Sequence, residues 1–175
     1  MDSIIWKLTK NTILYNLAFI LIGNLAQITV AVLLKEIHRK YFVKVSQTLM
    51  FMPYFVSMVT IGVIVYNIFS YKYGIANNII TALGFEKFDF YQNPQVWPAI
   101  IVAVQVWKGL GYGSVVYMAA ILGIDESIYE AAYVDGASNW KRIRYTTLPL
   151  MKPTALMLIM LALGGIIKGA LELFY

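Results

Sequence analysis

The chain has 175 residues, 60% of them hydrophobic and 13% charged, with a net charge of +5 and a mean hydropathy of +0.68. An average soluble domain carries about 25% charged residues, so this chain cannot cover a water-facing surface of its size and reads as a single integral membrane domain, residues 1–175. Cysteine is absent, which excludes a disulfide framework, a thiol nucleophile and a cysteine metal site; the basic residues are scattered among apolar runs, which excludes a nucleic-acid-binding stripe.

A bilayer core about 30 Å thick takes about 20 apolar residues of helix. The runs from Asn11 to Leu34 and from Val45 to Tyr71 hold no charge. A third run, from near Val96 to near Ile124, is interrupted only by Lys108, and a fourth is uncharged from Pro153 to Ile167, with a few residues before it from Leu148. The pattern predicts an all-α bundle of about four transmembrane helices over about 12–34, 46–70, 96–123 and 149–170. The first run is too long for the core of a signal peptide, and no small-residue cleavage site follows it. Pro53, early in the second, predicts a kink there.

Loop charge gives the orientation. The first connection carries Lys35, Arg39, Lys40 and Lys44 against Glu36; the second carries Lys72 and Lys87 as its basic residues; the third carries Lys141, Arg142, Arg144 and Lys152. Positive residues collect in cytoplasmic loops, so the first and third connections are expected inside and the second outside. The amino terminus would then lie outside, close to Lys7 and Lys10, which implies that an earlier span is missing. Within the outer connection, Ile75, Ile79, Ile80 and Leu83 recur at helical spacing between Gly74 and Gly84. They predict a short amphipathic helix, either on the outer surface or packed on its own neighbours.

The third connection is the polar insert of an otherwise apolar chain. Asp125 is an N-cap candidate for a helix over about 126–135, Glu126 and Glu130 favour its positive end, and Gly136 supplies the left-handed residue that stops it. Ser138 is the candidate cap of a second helix, with Trp140, Ile143, Arg144 and Thr147 on one face. Leu148-Pro149 ends that helix and Pro153 opens the last span. Two short helices joined at a glycine turn present small Ala131 and Ala132 beside the Glu130 carboxylate, a combination suited to entering a groove on another protein. The plainer reading is a capped loop lying among lipid headgroups.

This insert resembles a known motif. Glu130-Ala131-Ala132, three residues, Gly136, nine residues, position 146, one residue and Leu148-Pro149 is similar to the EAA loop of ABC importer permeases, with Thr146 at the usual aliphatic position. WKGLGYGS (Trp107–Ser114), GIDESIYEAAYVDGA, TLPLMKPT and the terminal GGIIKGALELFY resemble the polysaccharide and oligosaccharide branch of these importers. The resemblance runs from about Asn11 to the last residue. Family members have six spans, so the chain resembles a fragment lacking the first and last.

The resemblance implies a permease subunit of an ATP-driven sugar importer, multi-pass in a bacterial cell membrane, with a cytoplasmic two-helix coupling loop over 125–148. Glu130 would be the acidic contact to the ATP-hydrolysing subunit, Ala131 and Ala132 the close-packing surface, Gly136 the turn, and Leu148 and Pro149 the end of the motif. Implied partners are an ATP-binding subunit dimer, a second permease subunit (homologous or identical), an extracytoplasmic sugar-binding protein and the lipid bilayer. The chain itself would bind no cofactor, ATP being used by the partner.

An ionisable residue inside a span raises a functional hypothesis, so Lys108 is a candidate for the substrate path, as are Trp107 and Tyr112, aromatic faces of the kind that suit sugars. Lys108 would also suit snorkelling or pairing with another subunit. Gly109–Gly113 and Gly165–Gly169 are GxxxG pairs of the kind that packs helices closely, and Gly111 between the first pair loosens its helix. His38 stands alone in a basic loop. The sequence holds no GxxxxGK[ST] phosphate loop, and GLGYGS lies inside an apolar span, out of place for a dinucleotide fingerprint. The alternatives are an ATP-independent secondary transporter or channel subunit, a permease for a non-sugar solute, and, lacking any catalytic constellation to carry it, a membrane enzyme.

Overall fold

A computed structural model describes residues 2–172 and the side chains of residues 6–166. All its regular elements are helical: α1 (Asp2–Glu36), α2 (Lys40–Phe51), α3 (Met58–Phe69), α4 (Ile75–Ala82), α5 (Trp97–Leu122), α6 (Glu126–Val134), α7 (Asn139–Arg142), α8 (Leu148–Leu150) and α9 (Lys152–Glu172). Two of these stretches, Trp6–Glu36 and Pro94–Leu122, are each long and apolar enough to cross a bilayer. α1 begins ten residues before the predicted span, because Lys7 and Lys10 are good helix formers and their charge does not oppose helix outside the apolar layer.

Residues 46–70, expected as one span, form two helices that meet at 102°. Pro53 sits in a 3₁₀ turn, Met52–Phe55, that ends the first half. Val56 and Ser57 are then extended (ψ 132° and 152°), and the Ser57 side chain caps α3 by accepting from the Thr60 N–H. The kink expected at Pro53 is therefore a full change of direction, made by two extended residues after the proline. The last run is bent too, by 52° between Asn139–Leu150 and Lys152–Ile166.

The helices assemble around α5, whose most extensive contact is with α1. In lipid, close approach of small residues replaces the hydrophobic driving force, and α5 supplies it at two glycines. A Cβ on Gly111 would collide with the Met50 carbonyl and the Phe51 backbone, and one on Gly113 with the Gln27 amide. Gly111, expected to loosen α5, instead lets α2 lie against it. Gln27 Nε2 donates to the Gly109 carbonyl (3.2 Å), and the Tyr117 hydroxyl donates to Asn24 Oδ1 (2.6 Å). Around Tyr117 lies the core: Ala31, Ile121 and Met151, with Ile28, Val32, Met118, Ala155 and Leu158 packed on it. Amide side chains along the helices also turn back on their own backbone: Asn16, Asn24 and Asn67 each donate to the carbonyl four residues earlier, which satisfies one donor of each. Nothing lies within 4 Å of a Cβ on Gly165; the surroundings of Gly169 lie outside the described side chains.

The second connection carries α4, with Ile75, Ile79 and Leu83 exposed and Ile80 half-buried. Its buried anchor is polar. Asn77, 1% exposed, donates to the Phe88 carbonyl (3.0 Å) and accepts from the Phe88 N–H (2.8 Å), pinning the loop back onto the helix. Beside it, Phe88, Phe90, Phe69 and Trp97 form an edge-to-face chain, with Tyr91 tilted against Trp97.

Forcing a side chain into a tight contact costs about 1–3 kcal/mol. Gly111→Val is accordingly expected to lower the thermal midpoint in detergent, followed by size-exclusion after heating. Gly62→Val, at a site with nothing within 4 Å, is expected to change it little.

Candidate functional site

The polar insert is built from a cap, a turn and a second cap in succession. Asp125 caps α6 through its carboxylate, which accepts from the Ser127 N–H (2.9 Å). That backbone hydrogen bond, with a smaller one from the Ser127 side chain, holds the Asp125 carboxyl below its ordinary value. The folded state therefore favours the ionised cap: its stabilisation is complete at neutral pH and is lost only as pH falls through the lowered value. Gly136 then takes φ +73°, and Ser138 caps α7 by accepting from the Lys141 N–H. Beyond α7 the chain widens into a π-helical stretch, Ile143–Thr147. The wider turn divides the face expected for the second helix: Trp140 and Arg144 are exposed, Ile143 is half-buried and Thr147 is buried. α8, with Pro149 in its first turn, leads into α9.

α6 has two faces. Glu130, Tyr133 and Val134, at i, i+3 and i+4, point away from the protein with Ala131 beside them; Tyr133 is 71% and Val134 83% exposed. Trp140 and Tyr145 continue this exposed surface beyond the glycine turn. Tyr129 and Ala132 lie on the inner side, both half-buried. Of the two alanines read as one surface, Ala131 is thus outward and Ala132 inward. Leu148 and Pro149 are exposed at the start of α8.

The inner face is tied to α1. The Lys35 ammonium stands 3.3 Å from the Tyr129 ring centroid, and the Tyr129 hydroxyl is 3.0 Å from Thr147 Oγ1. Next to this pair, Asn139 Nδ2 donates to Glu36 Oε2 (3.4 Å), and Asn139 Oδ1 accepts from the Arg142 guanidinium. A cavity of about 440 Å³ lies between these groups, lined by Lys35, Glu36, Glu126, Tyr129, Arg142 and Thr147. Sequence reasoning missed Tyr129, Asn139 and Thr147 as fasteners. Only the position of Tyr129, one turn before Ala132, pointed to an inner face.

A second cavity, of about 490 Å³, runs between α1, α5 and α9. Its polar wall consists of Asn16, Asn24 and Gln27 from α1 and Gln105 and Tyr112 from α5. The three path candidates separate here. Tyr112 lines the groove, its ring stacked on Tyr54 at 5.0 Å and 12°. Lys108 points to the break in the second span, donating to the Val56 (2.6 Å) and Tyr54 (3.1 Å) carbonyls. Trp107 is about half exposed and does not line the groove.

The family of binding-protein-dependent transport system inner membrane components matches residues 19–174. The chain belongs to this family. Among relatives, LplB of Bacillus subtilis (strain 168) is 29% identical over 175 residues, which is 100% of this chain and 55% of that protein. The polygalacturonan/rhamnogalacturonan transport system permease protein YteP of the same organism is 30% identical, covering 96% of this chain and 52% of YteP. The lactose transport system permease protein LacF of Rhizobium radiobacter is 29% identical, over 89% and 52%. A chain of a bacterial alginate ABC transporter, crystallised with its alginate pentasaccharide-bound periplasmic protein, superposes with a TM-score of 0.86 at 33% identity, over 93% of this chain and 57% of that one. The chain thus spans about half the length of the relatives it matches, and it has the all-α fold of type I ABC importer permeases.

In this membrane protein, the fastening of the insert is expected to make a measurable difference. Tyr129→Ala removes a cation–π contact of about 0.5–2 kcal/mol and a hydrogen bond of about 1 kcal/mol. It is expected to speed trypsin cleavage at Lys141, Arg142 and Arg144 several-fold in limited proteolysis. Tyr129→Phe, which keeps the ring under Lys35, is expected to have the smaller effect.

Proposed function

We propose that the chain is the membrane-spanning permease subunit of an ATP-driven importer of an oligo- or polysaccharide, working in a bacterial cell membrane. The observation that carries the reading is the insert itself: a doubly capped helix pair that turns Glu130, Ala131, Tyr133 and Val134 outward and is fastened behind to α1. On this reading the exposed face docks in a cleft of an ATP-binding subunit, which binds and hydrolyses the ATP; a dimer of that subunit serves this chain and a second permease, homologous or identical. An extracytoplasmic binding protein delivers the sugar to the opposite side. The sugar cargo is supported by the roles of YteP, LacF and the alginate transporter.

The fastening explains how force would travel. Closure of the ATPase dimer moves α6; Lys35–Tyr129 and Glu36–Asn139 carry that movement to the end of α1, and Thr147 carries it towards α9. The spans then rock between inward-open and outward-open arrangements, a two-state change biased at a distance. The groove between α1, α5 and α9 is this chain's share of the path: its amides and the Tyr112 ring offer the donors, acceptors and aromatic edge that a polyhydroxylated solute needs, in a volume within the usual range for ligand sites. A proton-coupled carrier would need a titratable group facing such a groove, and Lys108 is held elsewhere by backbone carbonyls.

Co-purification in detergent with the ATPase subunit of a sugar importer from the same source tests the docking. Wild type is expected to capture it. Glu130→Arg, which reverses the charge on the exposed face, and Gly136→Val, which is strained at φ +73°, are each expected to lose at least about tenfold in capture, a loss of roughly 1.4 kcal/mol or more. Equal capture by all three would reduce the insert to a surface loop.

A further inference from the structure

The break in the second span leaves polar backbone groups at membrane depth, and each of them must find a partner inside the protein. In an unbroken helix the Tyr54 carbonyl would accept from the Met58 N–H and the Val56 carbonyl from the Thr60 N–H. Extension at Val56 and Ser57 cancels both bonds. On the donor side, Thr60 N–H turns to Ser57 Oγ (3.2 Å). On the acceptor side the groups converge on one cation: Lys108 Nζ is 2.6 Å from the Val56 carbonyl, 3.1 Å from that of Tyr54 and 3.5 Å from that of Pro53. Pro53 is served as well by the Val56 N–H (3.2 Å).

We infer that Lys108 is a positioning residue, whose ammonium replaces the missing helical N–H donors, fixes the 102° bend and thereby sets Tyr54 against Tyr112. An ammonium is suited to this: it has three donors and no acceptor, and its charge complements the negative end of the helix that stops at Phe55. The geometry is transmitted one residue further. Tyr54, whose carbonyl Lys108 holds, stacks flat on Tyr112, one turn along α5 from Lys108, while Phe51 and Phe55 pack around Tyr54. Tyr112 in turn forms part of the groove wall. Lys108 therefore acts on the groove from behind; its bearing on a sugar path rests on the importer reading, whereas its hold on the break does not.

The absence of cysteine permits a direct test without cargo or ATPase. Spin labels on Thr48→Cys and Asn67→Cys, exposed residues on either side of the break, report the bend as a distance distribution by double electron–electron resonance. The wild-type background is expected to give one narrow distance, and Lys108→Arg, which keeps charge and donors, is expected to preserve it. Lys108→Met is expected to lose it to a broad distribution while the protein remains monodisperse. If Lys108→Met does not fold, Lys108→Gln, which lacks the charge, takes its place and is expected to broaden the distance likewise. An unchanged narrow distance in the methionine or glutamine variant, or an arginine variant as broad as methionine, would overturn the inference. Failure of the importer reading would leave these distances as they are, so the two ideas fail separately.

Discussion

The structure depends on one strip of α5, residues 108–113, where small residues and a single cation bring three other elements to within contact of its backbone. Gly111 admits the end of α2, Gly113 admits Gln27 of α1, and Lys108 reaches the turned chain after Pro53. Each of these solves the same problem. In hydrocarbon, association gains little from burying apolar surface, so helices stay together through close backbone approach and through polar groups that have nowhere else to bond. Replacing the strip with ordinary apolar residues would keep α5 a spanning helix and remove the reason for its neighbours to meet there.

From that strip the molecule divides into two functional ends. Midway, the helices leave an amide-lined groove beside Tyr112. At the end where the insert lies, the core around Tyr117, Ile121 and Met151 joins α1, α5 and the start of α9, and α6 presents its outward face beyond it. Between the two run continuous helices, α1 and α5, with no loop to absorb a displacement. On the proposed coupling, a push on α6 would reach α1 through Tyr129 beneath Lys35, and one on α7 through Asn139 on Glu36, and α1 is the element most extensively paired with α5. The physical basis of the proposed coupling is this rigid route, made of a few polar fasteners and one long helical contact.

Much of this was legible in the sequence, and the parts that were not share a cause. Local rules served well: charge-free runs marked the apolar helices, Asp125 and Ser138 capped the helices they precede, and Gly136 adopted the left-handed turn its place required. The expected continuous helix over 46–70 was misleading because composition alone does not register direction; Pro53 announced a break, but the extended residues after it and the lysine that stabilises them are 52 residues apart in the chain. Tyr129 and Lys35, or Asn139 and Glu36, are pairs of the same kind, 103 residues apart in the second case. The groove was missed for a different reason. Asn16, Asn24, Gln27 and Gln105 are uncharged, so they did not interrupt the apolar runs, and they draw attention only when two helices place them on one wall. The motif that identified the family lies in the insert, where spacing along the chain is itself the structural constraint.

The central claim is that the outward face of α6 touches an ATP-hydrolysing subunit while the importer works. The most direct measurement attaches a photoactivatable benzophenone to Ala131→Cys, which is unique in this cysteine-free chain, and irradiates the assembled importer in membrane vesicles with and without nucleotide. One dominant protein adduct is expected, containing the ATPase subunit and changing in yield with nucleotide. Adducts to lipid alone, in the same yield as from a probe on the exposed position Gly62→Cys, would contradict it.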